Sequence, residues 1–369
     1  MYPRIVLDLE ICGIVGAIPS SVLHAGSHIR WKNVREEDPV MKNITINDIA
    51  REAGVSKATV SRVMTNPDIV SKPTRDRILA IMEAHAYIPN HLAQGLNGSP
   101  ANMIGIVIDE LANYFFIEVA EGIDTILSPK NYSMQVTSSR WIHDREVELV
   151  KSLISSRVDG VLLAPVRPDS QAIAILKRSK IPFIVINCLP EDDSISYVVC
   201  DNTRGGELAA ERINEQKPDQ VVLITGFDDQ GKKQRETGFK TVLSNTINLI
   251  QYEGVNTMEA GIELIPRLLS ECQLHEKKTT LFITNDNVAI GITNRLYECH
   301  INIPEQVSII GYDDIKLARF CRVPLTTISQ SSNLMGSIAA RELLKLIQGT
   351  TTGPYKHLIE PRLIVRESG

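Results

Sequence analysis

No run in this sequence reaches the roughly 18 apolar residues that a membrane-spanning helix needs. The nearest stretch, Ile5 to Leu23, is broken by Asp8 and Glu10. Cysteine is sparse: six residues, Cys12, Cys188, Cys200, Cys272, Cys299 and Cys321, none in a C-x-x-C pair. That pattern excludes a zinc knuckle and a thioredoxin-like site, and it fits a reducing cytoplasm. Aromatic residues make up only 5%, which counts against a tightly packed all-β sandwich. The net charge of −5 excludes a polybasic coat, so any contact with nucleic acid must come from a local patch. There is no G-x-S-x-G elbow, no G-x-G-x-x-G turn and no H-E-x-x-H helix, which removes the usual hydrolase, dinucleotide and zinc-protease signatures. The eight histidines are dispersed, and Cys299-His300 are adjacent, a spacing unsuited to chelation. No cofactor and no metal are expected.

What is present points to several domains. A chain of 369 residues with 43% hydrophobic and 22% charged side chains has a globular balance and the length of two or three units. Charge is segregated. Residues 1–40 hold four bases and five acids, and residues 41–99 seven bases and five acids, which leaves a net of −6 for the remainder. Residues 1–40 have one early base, Arg4, acids inside their apolar part and no clear period, so they do not read as a secretory signal. Met41 opens a strongly patterned stretch. The expectation is that the native product starts there and that 1–40 is a non-native or disordered extension; peptides from before Met41 in a mass spectrum of the native protein would refute it.

Residues 44–99 read as short helices joined by tight turns. Thr45, with Asp48 three residues on, resembles a capping box. Ile46, Ile49, Ala50 and Ala53 then share one face, and Gly54 can adopt the left-handed conformation of a sharp helix exit. Ser56 can cap a second helix that buries Val60 and Val63, and Ser71 a third, from about Lys72 to His85. Helix, glycine turn, helix is the spacing of a helix-turn-helix. The second helix exposes Lys57, Ala58, Thr59, Ser61 and Arg62. Small residues let a helix sit deep in a major groove, and arginine can bond bidentately to guanine. A helical hairpin with a charged, solvated face is the bland alternative. Leu96-Asn97-Gly98-Ser99-Pro100 reads as a linker.

From Met103 the pattern becomes short apolar strands, at Met103–Ile108, Gly160–Ala164, Phe183–Ile186, Val221–Thr225, Leu281–Thr284 and Val307–Tyr312. Amphipathic helical stretches alternate with them, at Phe116–Leu127, Arg145–Ile154, Arg204–Ile213 and Val288–Tyr297. This is the signature of parallel sheets covered on both faces. About ten strands suggest two αβ lobes, one from about 103 and one from about 202.

The run from Thr45 to Val63, continued by Val70-Ser71, Thr74-Arg75, Tyr87-Ile88-Pro89-Asn90 and Ala93-Gln94-Gly95-Leu96, resembles the N-terminal signature of the LacI/GalR family of bacterial transcription regulators. The core resembles the same family's effector domain, which is like the periplasmic sugar-binding proteins. The resemblance implies an all-α helix-turn-helix headpiece over 44–99 and a two-lobed α/β periplasmic-binding-protein-like effector and dimerisation domain over 103–369. It implies DNA contacts from Thr45, Ile46, Ser56, Lys57, Ala58, Thr59, Ser61 and Arg62. It also implies a hinge helix, about 90–98, in which Asn90, Ala93 and Gln94 flank Leu96. That leucine would wedge into the minor groove and bend the duplex; taken alone it could be an ordinary core leucine.

For the effector the resemblance implies Asn113, Phe115, Phe116, Asn187, Arg235, Asn285 and Asp313. Planar polar groups would bond hydroxyls, and the two phenylalanines would pack on ring carbons. Asn285 and Asp313 could instead simply cap helices, and Phe116 could be core. Three places depart from the family pattern: Asp109 where proline is frequent, Tyr114 in place of the proline of Asn-Pro-Phe-Phe, and Asn187-Cys188 where Asp-Arg often stands. They leave the identity of the sugar open.

The expected function is therefore sequence-specific regulation, a cytoplasmic repressor of carbohydrate uptake or catabolism genes. It would act as a homodimer on a pseudo-palindromic operator and respond to a small sugar-like effector, with no membrane partner. Two rivals remain. One is a sugar-binding protein that never touches DNA. The other is a phosphate-loop sugar kinase: Gly226 to Lys233 follows an apolar strand and fits that loop up to its last place, where Lys233 replaces the hydroxyl that should hold Mg²⁺.

Overall fold

In the computed structural model, residues 44–87, 101–227, 229–351 and 353–369 are described. They fall into two units, the first ending at Pro89 and the second beginning at Asn90. In the first, α1 (Ile46–Glu52), α2 (Lys57–Thr65) and α3 (Lys72–Ala84) enclose a small core of Ile49, Ala50, Ala53, Val60, Val63 and Ile78. Local chemistry sets each boundary. Asp48 accepts a hydrogen bond from the Thr45 backbone N–H at 3.0 Å, half of a capping box. Gly54, at φ +62°, ends α1, and the Val55 N–H returns to the Ala50 carbonyl at 3.0 Å. The Ser56 hydroxyl caps α2 by accepting from the Thr59 N–H at 3.1 Å. Ser71 differs from the expectation: its hydroxyl donates to the Thr74 hydroxyl at 2.9 Å and makes no cap bond to the backbone. Pro73, which has no N–H to satisfy, stands in the first turn instead.

The second unit holds two six-stranded sheets. The first runs β11-β5-β4-β3-β1-β2 and is parallel throughout; the second runs β12-β10-β9-β8-β6-β7, with only β12 antiparallel. In chain order β1 (Met103–Ile108), β2 (Ser133–Ser138), β3 (Gly160–Leu163), β4 (Phe183–Ile186) and β5 (Tyr197–Cys200) alternate with α4 (Tyr114–Leu127), α5 (His143–Ser155) and α6 (Gln171–Ser179). The second lobe follows with α7 (Asn202–Gln216), β6 (Gln220–Ile224), α8 (Gln230–Val242), β7 (Asn248–Tyr252), α9 (Met258–Glu271), β8 (Thr279–Ile283), α10 (Asp286–Glu298), β9 (Val307–Asp313) and β10 (Thr326–Ser329). Then α11 (Ser332–Ile347) and β11 (Lys356–Ile359) return to the first lobe, and β12 (Arg362–Ile364) to the second. The lobes are thus not consecutive stretches divided near 202: the chain crosses between them three times.

Three helices begin two residues before their apolar stripe does, because a polar side chain caps them. Asn113, Asp201 and Asn285 accept from the N–H of Phe115, Arg204 and Val288. Helix α8 is held close against α7. A Cβ on Gly206 would stand 2.0 Å from the Arg235 carbonyl oxygen, and one on Gly238 equally near the Thr203 carbonyl. Only glycine permits that approach, and it fixes Arg235 beside the second sheet.

Candidate functional site

In the first unit Lys57, Ala58 and Arg62 are exposed along α2, while Thr59 and Ser61 are half-buried. The Thr59 hydroxyl lies 2.9 Å from that of Ser56. Thr45 is exposed at the start of α1, and Ile46 packs partly on the headpiece core. Two cations therefore flank a small-residue surface at the start of a rigid, capped helix, the shape and charge a major groove accepts. Asn90, Ala93, Gln94 and Leu96, with the expected hinge helix, lie outside the described residues.

In the second unit a cleft of about 500 Å³ opens between the lobes. All seven residues expected at the effector site line it: Asn113, Phe115, Phe116, Asn187, Arg235, Asn285 and Asp313. They arrive from distant segments, and three of them, Asn187, Asn285 and Asp313, stand at or just beyond the carboxyl ends of strands, where open αβ sheets place ligands. Arg235 is 6% exposed. Its Nε donates to Asn202 Oδ1 and its Nη1 to the Thr284 carbonyl, each at 2.8 Å. Its guanidinium lies 3.8 Å from the Tyr312 ring centre and 3.8 Å from the Asp313 carboxylate. Asp313 also accepts from Gln330 at 2.6 Å and from Asn285 at 3.3 Å. Its backbone is turned to φ 122° at the end of β9, a conformation rarely held by a non-glycine residue unless its surroundings enforce it. Burial raises the Asp313 carboxyl to about 6, against the pull of Arg235 and Gln330. Burial, with the neighbouring Asp313 charge, also holds Asp286 well above the usual carboxylate range.

Asn113 and Asn285 cap helices and face the cleft at once, so the structural and binding readings of these residues coexist. The two phenylalanines are more nearly core than expected. Each is 2% exposed, and their rings meet edge to face at 5.0 Å within the lobe interior. A half-buried aromatic that the sequence reasoning missed, Trp141, lines the same cleft, with the Lys232 ammonium 5.5 Å from its ring centre. The available signal was rarity, since the chain has two tryptophans. Asp109, singled out in the sequence as a departure from the family pattern, lines the cleft as well, whereas Asp229, Lys232, Asn256, Asn287 and Gln330 were missed as lining residues.

The phosphate-loop idea fails on geometry. Asp229 caps α8, accepting from the Lys232 N–H at 2.9 Å, so a carboxylate occupies the helix terminus that a phosphate would need. Lys232 Nζ is bound to Asn256 Oδ1 at 2.7 Å. The Cys188 thiol is pushed up to about 12 by burial, which keeps it from acting as a thiolate nucleophile. Among the described residues no cluster of three metal-ligating side chains forms, and no helix is long and apolar enough to cross a membrane.

Residues 45–90 match the family described as bacterial regulatory proteins, lacI family, and residues 210–369 match a periplasmic binding protein-like domain. A LacI-family transcriptional regulator from Enterococcus faecalis V583, crystallised with bound ribose, is 31% identical; the match covers 72% of this chain and 98% of that one, with a TM-score of 0.64. The chain belongs to the LacI family. Catabolite control protein A of Priestia megaterium is 28% identical over 88% of this chain and 99% of its own length. The lac repressor dimer bound to operator and the anti-inducer ONPF is 25% identical over 89% of this chain and 99% of that chain, with a TM-score of 0.74. This LacI-family chain is a DNA-binding transcriptional repressor, with a helix-turn-helix unit and a two-sheet α/β periplasmic-binding-protein-like body. Its relatives are regulators, not enzymes, and the headpiece match removes the reading of a sugar binder that never touches DNA.

Proposed function

We propose that this protein represses genes of carbohydrate uptake or catabolism, and that a small sugar-like effector sets its affinity for operator DNA. The observation that carries the proposal is the convergence of seven polar and aromatic side chains from both lobes on one cleft. Arg235, Asn285, Asp313, Asn113 and Asn187 would engage hydroxyls, Trp141 would face the ring, and Phe115 and Phe116 would form the wall behind it. The ribose-bound relative and the ONPF-bound lac repressor support a carbohydrate-sized occupant. Residues 44–99 would be the DNA-binding domain and 103–369 the effector and dimerisation domain. In the DNA-binding domain, Lys57, Ala58, Thr59, Ser61 and Arg62 would read bases, while Thr45, Ile46 and Ser56 set the helix against the backbone. Asn90, Ala93 and Leu96 would act in the hinge. A homodimer on a pseudo-palindrome follows from matching protein and DNA two-folds, and the lac repressor dimer on its operator supports it.

The mechanism is linkage: an effector changes operator affinity only through its differential affinity for two states of the body. The lobes touch on both sides of the cleft. Asn287 donates to Asn113 at 3.1 Å, the Lys316 N–H to Glu118 at 2.6 Å, and Gln230 exchanges hydrogen bonds with the Leu189 backbone at 2.7 and 3.1 Å. A ligand that tightens or splays these contacts changes the angle between lobes. The test is operator binding by fluorescence anisotropy with and without candidate carbohydrates. Arg235→Ala should retain DNA binding and weaken the effector by about tenfold or more, since a hydrogen bond to a charged group is worth roughly 1.5–3 kcal/mol. An unchanged effector response in that variant would refute the pocket assignment.

A further inference from the structure

The charge of the cleft bears on the chemical class of its ligand, an inference that rests on the effector reading of that cleft. The cleft is rich in acceptors and negative charge, and its two cations are already engaged. Lys232 is held by Asn256 at 2.7 Å and Asp229 at 3.5 Å. Arg235 is held by Asn202, the Thr284 carbonyl and Asp313. Against them stand the carboxylates of Asp109, Glu110, Asp229, Glu259 and Asp313.

Asp109 is the decisive one. It follows β1 directly, is 5% exposed and lines the cleft. Among the described residues its Oδ1 is buried without any hydrogen-bond partner. A buried carboxylate oxygen left unpaired is uncommon and calls for an explanation, such as a role in binding a ligand. Asn287 Oδ1 and Gln330 Oε1, which line the same cleft from segments that follow strands of the second sheet, are also buried acceptors without a partner among the described residues. The charged groups that act on Asp109 are Asp229, Lys232 and Glu110.

We propose that the effector carries a protonated amine that seats against Asp109, as an amino sugar would, and that phosphorylated or carboxylated ligands are excluded. A neutral hydroxyl could satisfy one lone pair of Asp109. It would bring no positive charge to a cleft in which five carboxyl groups face two cations that are already engaged. An ammonium offers three donors and the opposite charge together. Burial first, and then Asp229, holds the Asp109 carboxyl well above its ordinary range. Seating an ammonium favours the ionised carboxylate, so protons held by Asp109 are released to solvent as the ion pair forms.

The test is calorimetry on the full chain with matched ligands: the hexose, the 2-amino-2-deoxyhexose, its N-acetyl form and the hexose 6-phosphate, each in the gluco, galacto and manno series. Titrations in two buffers of different ionisation enthalpy count protons released. In at least one series the amino sugar should bind about tenfold or more tightly than its parent and its N-acetyl form, with a net release of protons. Both features should vanish in Asp109→Asn and persist, weakened, in Asp109→Glu. The proposal is overturned if no amino sugar binds, if the neutral or phosphorylated member binds as tightly, or if the preference survives in Asp109→Asn. Operator binding measured alongside separates the two readings. A neutral sugar that alters operator affinity while no amine preference exists overturns this inference alone, whereas failure to bind any operator overturns the regulatory reading.

Discussion

The headpiece and the cleft are built on opposite principles. The headpiece is local: a cap, a left-handed glycine and a second cap lie within the twelve positions Thr45 to Ser56, and its reading surface spans Lys57 to Arg62. The cleft is assembled from strand ends as far apart in sequence as Asp109 and Gln330. One is a small core with an exposed working face; the other is a working face enclosed between two large cores. Stability and function should therefore separate readily at the exposed reading residues of the headpiece and less readily at the buried residues of the cleft.

The largest effect should come from the headpiece core. Ile78 is fully buried among only six buried apolar side chains. Ile78→Ala should cost about 2–5 kcal/mol, enough to unfold so small a unit. Calorimetry should show loss of the headpiece transition and of operator binding, while the effector still raises the melting temperature of the body. Loss of the effector shift as well would break the comparison.

The body should answer to pH through a carboxyl group buried in the cleft. Asp313 is raised to about 6 by burial, above its value in the unfolded chain, so the folded state holds the proton more tightly. Its stabilising contribution is then complete below about pH 4 and is lost as pH rises through about 6, a change on the order of 2–3 kcal/mol. Asp286 shifts in the same direction. Chemical denaturation of the body between pH 4 and 7 should show this decline, and Asp313→Asn should flatten it.

Legibility followed the same division. The headpiece was readable because its determinants are neighbours in sequence; only the half-burial of Thr59 and Ser61 and the non-capping Ser71 departed. In the body, the central strands β1, β3, β4, β6, β8 and β9 stood out as continuous apolar runs. The edge strands β2, β7, β11 and β12 did not, because one side of an edge strand is wet and its apolar pattern is broken. Strand β10 was hidden for another reason. Thr326 and Thr327 are fully buried but polar, and their hydroxyls donate to the Gly369 carbonyl and to Asp286. The seven expected cleft residues came from the family resemblance, which supplies positions but not surroundings. Trp141 became visible only when the chain folded, because nothing near it in sequence marks it as lying beside Lys232.

The reading helix offers a smaller, more specific test. Arg62 is exposed on α2 and can reach a guanine edge, a contact worth about 1–3 kcal/mol of discrimination. Arg62→Ala should relax base preference at one position of each half-site in a selection experiment. Lys57→Ala should lower affinity or shift operator preference in the same assay. Uniform weakening across all sequences in Arg62→Ala would mean that Arg62 holds phosphate instead.

The smallest expected effect is the sharpest probe of how the reading helix is held. Ser56 accepts from the Thr59 N–H at 3.1 Å, and its own backbone is extended, at φ −73° and ψ 152°, as an N-cap requires. Removing the hydroxyl leaves a donor at the first turn without its partner, so Ser56→Ala should destabilise the headpiece by about 1 kcal/mol. Glycine at a cap lets water reach that donor, and Ser56→Gly should cost only a few tenths of a kcal/mol. Denaturant titrations of the two variants decide the point. An alanine penalty well above the glycine one makes Ser56 a cap that fixes the start of α2, whereas equal penalties would mean that packing alone, through Val60 and Val63, positions the helix that reads DNA.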